Sequence, residues 1–212
     1  MIIRRGYNFK ESLTFYIILV NLAFFVVQIF FPLFTDILSL TPSLALSGHY
    51  YQFVSYMFLH GGIMHIVLNM FVLAIFGFPL EQTLGRNRFL IVYMISGIGS
   101  AIFYILMMML MMGEMGIGLL GASGAVFGVL AAYAFKYPRQ WVYIFGLIPL
   151  PAAVLIIFLL IEETFLGVLS LQPGIANFGH VGGIITGLLI MSYWRLKEER
   201  KRIPKGFQFV WE

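Results

Sequence analysis

A serine hydroxyl attacks a carbonyl poorly unless a base takes its proton, and near neutral pH the histidine imidazole suits that task best. One serine in this sequence stands where it could be activated. Ser123 follows Gly121 and Ala122 at the start of an apolar, small-residue stretch. A helix beginning there would turn unpaired backbone N–H groups and the positive end of its dipole toward a developing oxyanion. His180 shares a stretch with Gly179, Gly183 and Gly187 and is the leading candidate for the base. His65 and Asn69 are four residues apart, so on a helix they share a face and can point at one spot. Each residue also has an ordinary use: an N-cap for Ser123, a helix-packing hydrogen bond for His180, and an interhelical clamp for His65 with Asn69.

Other chemistries are excluded or weak. There is no cysteine, hence no thiolate nucleophile, thiolate metal site or disulfide. Asp36 is the single aspartate, which rules out a paired aspartyl mechanism. A Ser-His-Asp triad would have to recruit that residue, so a Ser-His dyad is the simpler scheme. His60 and His65 are five apart, a poor spacing for two ligands on one helix face, and no HExxH occurs. No metal and no cofactor are therefore expected. Glu162 and Glu163 lie in a late apolar stretch and have no place in this scheme; water near the outer end of that stretch is their expected environment, and they keep a transport reading open.

The elements that must position these residues are membrane spans. Of the 212 residues, 61% are hydrophobic and 10% charged, against roughly 25% charged in a soluble domain. Apolar stretches at 14–34, 62–80, 89–112, 122–135, 149–169 and 177–196 give six expected helices. The net charge of +4 would suggest nucleic acid in a soluble protein, but here the placement of the basic residues matters more. Arg4, Arg5 and Lys10 precede the first stretch, Arg86 and Arg88 join the second to the third, and Lys136 and Arg139 join the fourth to the fifth. The other six of the 13 follow the last stretch, and the remaining connections carry none. By the positive-inside rule both termini are cytoplasmic, and no nucleic-acid partner is expected.

This topology makes an all-α membrane bundle of one domain: a cytoplasmic segment 1–13, a six-helix region 14–196 and a cytoplasmic tail 197–212. The second, fourth and sixth spans then all enter from the outer side, which puts His65, Asn69, Ser123 and His180 within about two turns of that surface. The fourth span is short and rich in Gly and Ala, as a central helix should be. A long apolar connection after the first span is expected to lie in the outer interface.

With those residues in place the chain resembles the rhomboid family of intramembrane serine proteases. GASGAVFG at 121–128 resembles the family's GxSG nucleophile motif, HGGIMHIVLN at 60–69 its second-helix motif, and GHVGGIITG at 179–187 its sixth-helix motif. FGFPLEQTLGRNRFL at 76–90 resembles the link between helices two and three, with Glu81 at the acidic position. The likeness covers about residues 50 to 190. It implies Ser123 as nucleophile, His180 as base and then acid, and an oxyanion hole of His65, Asn69 and the Ser123 backbone N–H, supported by Gly121 and Phe127. Two positions depart from the pattern. Tyr51 and Gln52 stand where many members have Trp-Arg, and Phe127 stands where many have Tyr, keeping a ring that could stack on His180 without the hydroxyl.

The function implied is endoproteolysis of transmembrane protein substrates near the outer face of a multi-pass cell-membrane protein, with a prokaryotic plasma membrane as the expected setting. A client-binding relative without catalysis is the first alternative, although an escort needs neither Ser123 nor His180. A small transporter using Glu162 and Glu163 is the second, with no inverted repeat to support it.

Overall fold

In a computed structural model, residues 9–112, 116, 118–144, 146–169 and 177–202 are described. Arg4, Arg5 and the tail after Ile203 lie outside them. The first helix, α1 (Leu13–Phe30), opens on Ser12, whose hydroxyl caps the Phe15 N–H at 3.1 Å. It does not run on to residue 34 as expected. Pro32 lacks an N–H and disfavours helical geometry at Phe31, which sits at φ −133° and ψ 82°, so the chain breaks and restarts as α2 (Pro32–Leu38). The long connection that follows is built from two short helices, α3 (Pro42–Leu46) and α4 (Gln52–Ser55), and a 3-10 turn at Tyr56–Phe58.

Next come α5 (Ile63–Leu84) and α6 (Arg86–Met107), the latter ending in a π-helical turn at Met108–Met112. Glu81, near the end of α5, spends its carboxylate on the start of α1. It accepts from the Leu13 N–H at 2.8 Å, the Thr14 N–H at 2.9 Å and the Thr14 hydroxyl at 2.7 Å. A negative charge at a helix N-terminus satisfies donors that would otherwise be orphaned in a membrane.

The short central helix is α7 (Ser123–Lys136), and it packs against α5, α6, α8 (Ala152–Leu169) and α9 (Asn177–Arg202). Its Ala125, Ala131 and Ala132 are fully buried. At about 1.5 Å per residue its 14 residues make roughly 21 Å, less than the roughly 30 Å hydrocarbon core. A helix this short cannot reach both surfaces of a bilayer. Between α7 and α8 a hairpin of β1 (Trp141–Ile144) and β2 (Ile148–Pro151) interrupts the all-helical plan. Pro149 and Pro151 keep β2 out of the helix, so α8 starts later than the expected residue 149.

The outer surface is apolar, with Phe30, Ile63, Phe71, Leu110 and Phe165 all exposed. Such a surface belongs against lipid. Among the described residues four helices are long and apolar enough to cross a membrane: α1, α5, α6 with its π turn, and α8. Of the other two expected spans, α7 is a shorter apolar helix, and α9 carries its charged end on to Arg202.

Candidate active site

The approach to Ser123 is pinned before the helix begins. Leu119 and Leu40 exchange backbone hydrogen bonds of 2.8 and 2.9 Å, and the Gly121 N–H donates to the Tyr56 carbonyl at 3.0 Å. Gly121 adopts φ +129°, which an L side chain rarely tolerates. A Cβ on Gly121 would also lie 2.8 Å from Cε1 and 2.9 Å from Nε2 of His65, with Ser123 Oγ at 3.6 Å. The imidazole of His65 and the hydroxyl of Ser123 thus border the same small space. Ala122, not Ser123, is the N-cap of α7 and makes no side-chain capping bond. Ser123 occupies the first helical position, and its hydroxyl is free for another use.

That use is His180. Its Nε2 lies 2.8 Å from Ser123 Oγ, a hydrogen bond between α7 and α9. The helices come this close because glycines face backbone along the seam beyond this pair. A Cβ on Gly183 would collide with the Gly124 carbonyl, and one on Gly187 with that of Gly128. Phe127 stacks on the His180 ring from the α7 side, with centroids 4.5 Å apart and planes 20° from parallel. The ring expected there is present and restricts the imidazole to one plane.

Of the residues expected at the oxyanion, His65 is in place beside Gly121. The Asn69 amide donates to the His65 carbonyl at 2.9 Å, one turn along α5. An amide NH₂ carries two hydrogens, so one remains for a ligand. The long connection between α1 and α5 is anchored by the two residues that depart from the family pattern. Buried Gln52 accepts from the Thr41 N–H at 3.1 Å and donates to the Ile37 carbonyl at 3.2 Å, which the Tyr51 hydroxyl also reaches at 3.2 Å.

The sequence reading missed one neighbour. Glu163 does not face water; it is 8% exposed, and its Oε1 stands 3.0 Å from His180 Nδ1. Its Oε2 accepts from Asn177 Nδ2 at 2.6 Å. Asp36, the aspartate a triad would have required, is exposed in α2. The available signal was an acidic residue inside an apolar span, where an unpaired charge is too costly to be idle. Its partner depended on how α8 and α9 are rotated, which spacing does not reveal. His60 is buried, with both ring nitrogens lacking a hydrogen-bond partner, and its ring meets His65 edge-on at 5.2 Å. No group of three or more possible metal ligands occurs among the described residues.

A family model described as the Rhomboid domain matches residues 47–197. The chain belongs to the rhomboid family. Similar proteins include the Rhomboid protease AarA of Providencia stuartii, 29% identical over 91% of this chain and 75% of that protein. RHOMBOID-like protein 6, mitochondrial, of Arabidopsis thaliana is 34% identical over 66% of this chain and 42% of its own length. Rhomboid-type serine protease 2 of Emericella nidulans is 35% identical over 66% of this chain and 26% of its own. The chain spans less than half the length of the last two. Family membership and the apolar helices together make this rhomboid chain a multi-pass membrane protein.

Proposed function

We propose that this protein is an intramembrane serine endopeptidase in which Ser123 is the nucleophile and His180 the general base. The observation that carries the reading is the 2.8 Å contact between Ser123 Oγ and His180 Nε2 at the start of a helix. Attack on a peptide carbonyl transfers the hydroxyl proton to Nε2 and forms the Oγ–C bond. His180 then returns the proton to the leaving amine, and water resolves the acyl-enzyme by the same route reversed. The charge that develops on the carbonyl oxygen faces the first-turn N–H groups of α7, the His65 ring and the second amide hydrogen of Asn69.

The substrates are transmembrane segments of other proteins. A helical substrate must unwind locally before a carbonyl can reach Ser123, so segments weakened by Gly, Pro or small residues are favoured. Six spans with both termini cytoplasmic place the site toward the outer face, as the alternation of basic loops requires. The setting proposed is a prokaryotic plasma membrane, in keeping with the likeness to the Providencia stuartii protein over 91% of this chain and 75% of that protein.

Reconstitution in liposomes with a reporter carrying a Gly-containing transmembrane segment tests the function. Cleavage by the wild type that is absent in Ser123→Ala and in His180→Ala is expected. Reporter binding with no cleavage in any of the three would instead favour the client-escort alternative. Because the chain has no cysteine, single cysteines at Tyr50 and Arg139 test the orientation. An impermeant thiol reagent applied to intact cells should modify Tyr50→Cys and spare Arg139→Cys.

A further inference from the structure

The mechanism above leaves the buried carboxylate of Glu163 without a task. Burying a carboxylate costs several kcal/mol unless partners compensate, so its surroundings should explain why it is tolerated. Both oxygens are engaged by one helix: Oε1 at 3.0 Å from His180 Nδ1, and Oε2 accepting from Asn177 Nδ2 at 2.6 Å. Asn177 and His180 are three residues apart on α9 and so present the same face to α8. The approach of the two helices is set one turn further along α8, where Gly167 leaves room for the Phe178 ring. Glu162 is turned from this face by the helix's step of about 100° per residue.

We propose that Glu163 is a positioning residue that completes a Ser123, His180, Glu163 triad, a proposal that rests on the Ser123–His180 reading above. A neutral imidazole has one N–H and one acceptor nitrogen. A carboxylate beside Nδ1 keeps the proton there, which leaves Nε2 to accept from Ser123. When the Ser123 O–H bond breaks and the Nε2–H bond forms, the positive charge on the ring lies against Glu163. The carboxylate itself takes no proton. Its contact with Nδ1 lies outside the alignment of a strict hydrogen bond, and Nδ1 has no aligned partner. The Asn177 amide is therefore what fixes the carboxylate, which acts on the ring chiefly through its charge. The groups facing His180 are Ser123 and Phe127 from α7, Glu163 from α8 and His65 from α5. Among the described residues Glu163 is the only acid in this set.

The test is the kinetics of inactivation of the purified full chain by a fluorophosphonate probe, separating the maximal rate from the half-saturating concentration. Wild type, Ser123→Ala, Glu163→Gln, Glu163→Asp and Glu162→Gln are compared. Glu163→Gln should lower the maximal rate by about 100-fold or more with half-saturation within about twofold of wild type. Glu163→Asp, which restores the charge at a longer reach, should recover about tenfold of that loss, and Glu162→Gln should match the wild type.

A Glu163→Gln rate within about threefold of wild type overturns the positioning role while leaving the Ser123 reading intact. Equal losses in Gln and Asp, tracking an equal drop in thermal stability, overturn it too. Should Glu163→Gln fail to fold, Glu163→Ala takes its place, and a rate within about threefold of wild type there overturns the proposal. Absence of labelling in the wild type overturns both readings together.

Discussion

The two helices that flank α9 are joined to it by different means. Toward α7, beyond the contacts His180 makes with Ser123 and Phe127, backbone meets backbone, Gly183 over the Gly124 carbonyl and Gly187 over that of Gly128. Toward α8 it is side chain on side chain, with Glu163 held by Asn177 and His180 and the Phe178 ring set over Gly167. Where glycine meets backbone there are no rotamers through which to adjust, so the spacing of the two backbones that carry Ser123 and His180 is fixed rigidly. A seam of side chains can yield by small rotations. Ser123 and His180, the proposed nucleophile and base, meet across the first, and Glu163 approaches His180 across the second.

The difference between the seams can be broken by substitution. Gly183→Val should have the largest effect, because the colliding atom is a carbonyl that cannot move aside: a loss of about 3 kcal/mol or more, seen as a large drop in thermal stability and loss of probe labelling. Gly121→Ala comes next. It combines a φ of +129° with a Cβ driven into the His65 ring, so about 1–3 kcal/mol of strain and a fall of roughly 100-fold in labelling rate are expected.

Phe127→Ala removes the ring that holds the imidazole in plane and should slow labelling about tenfold, whereas Phe127→Tyr should label within about twofold of wild type. Gly167→Ala should have the smallest effect, about 1 kcal/mol, since its Cβ meets only the Phe178 ring at 2.9 Å and a ring can rotate. If Gly167→Ala were as damaging as Gly183→Val in a thermal-stability assay, the contrast between rigid and yielding seams would be wrong.

Much of the rigid seam was legible in the sequence, and little of the yielding one. Gly179, Gly183 and Gly187 recur with the helix period, and Gly121 precedes Ser123 where an apolar helix starts, so pattern alone marks both helices for close packing. Local chemistry accounts for what was missed nearby. Pro32 divides the first apolar run, and Pro149 with Pro151 holds the start of the expected fifth span in a hairpin. The partnership of Glu163 with His180 lies at another level. It depends on the rotation of two helices that Gly167 and Phe178 determine, and hydropathy is blind to rotation. Gln52 was likewise visible only as a departure from a pattern; its two hydrogen bonds across the long connection after α1 appear once the chain is folded.

The central claim is that Ser123 is an activated nucleophile because His180 lies 2.8 Å from its hydroxyl. It is tested most directly by exposing detergent-purified wild type, Ser123→Ala and His180→Ala to a fluorophosphonate and locating the adduct by mass spectrometry. One adduct on the peptide containing Ser123 in the wild type, and none in either variant with both shown to be folded, is the expected result. An adduct elsewhere, or equal labelling of His180→Ala, would contradict the claim.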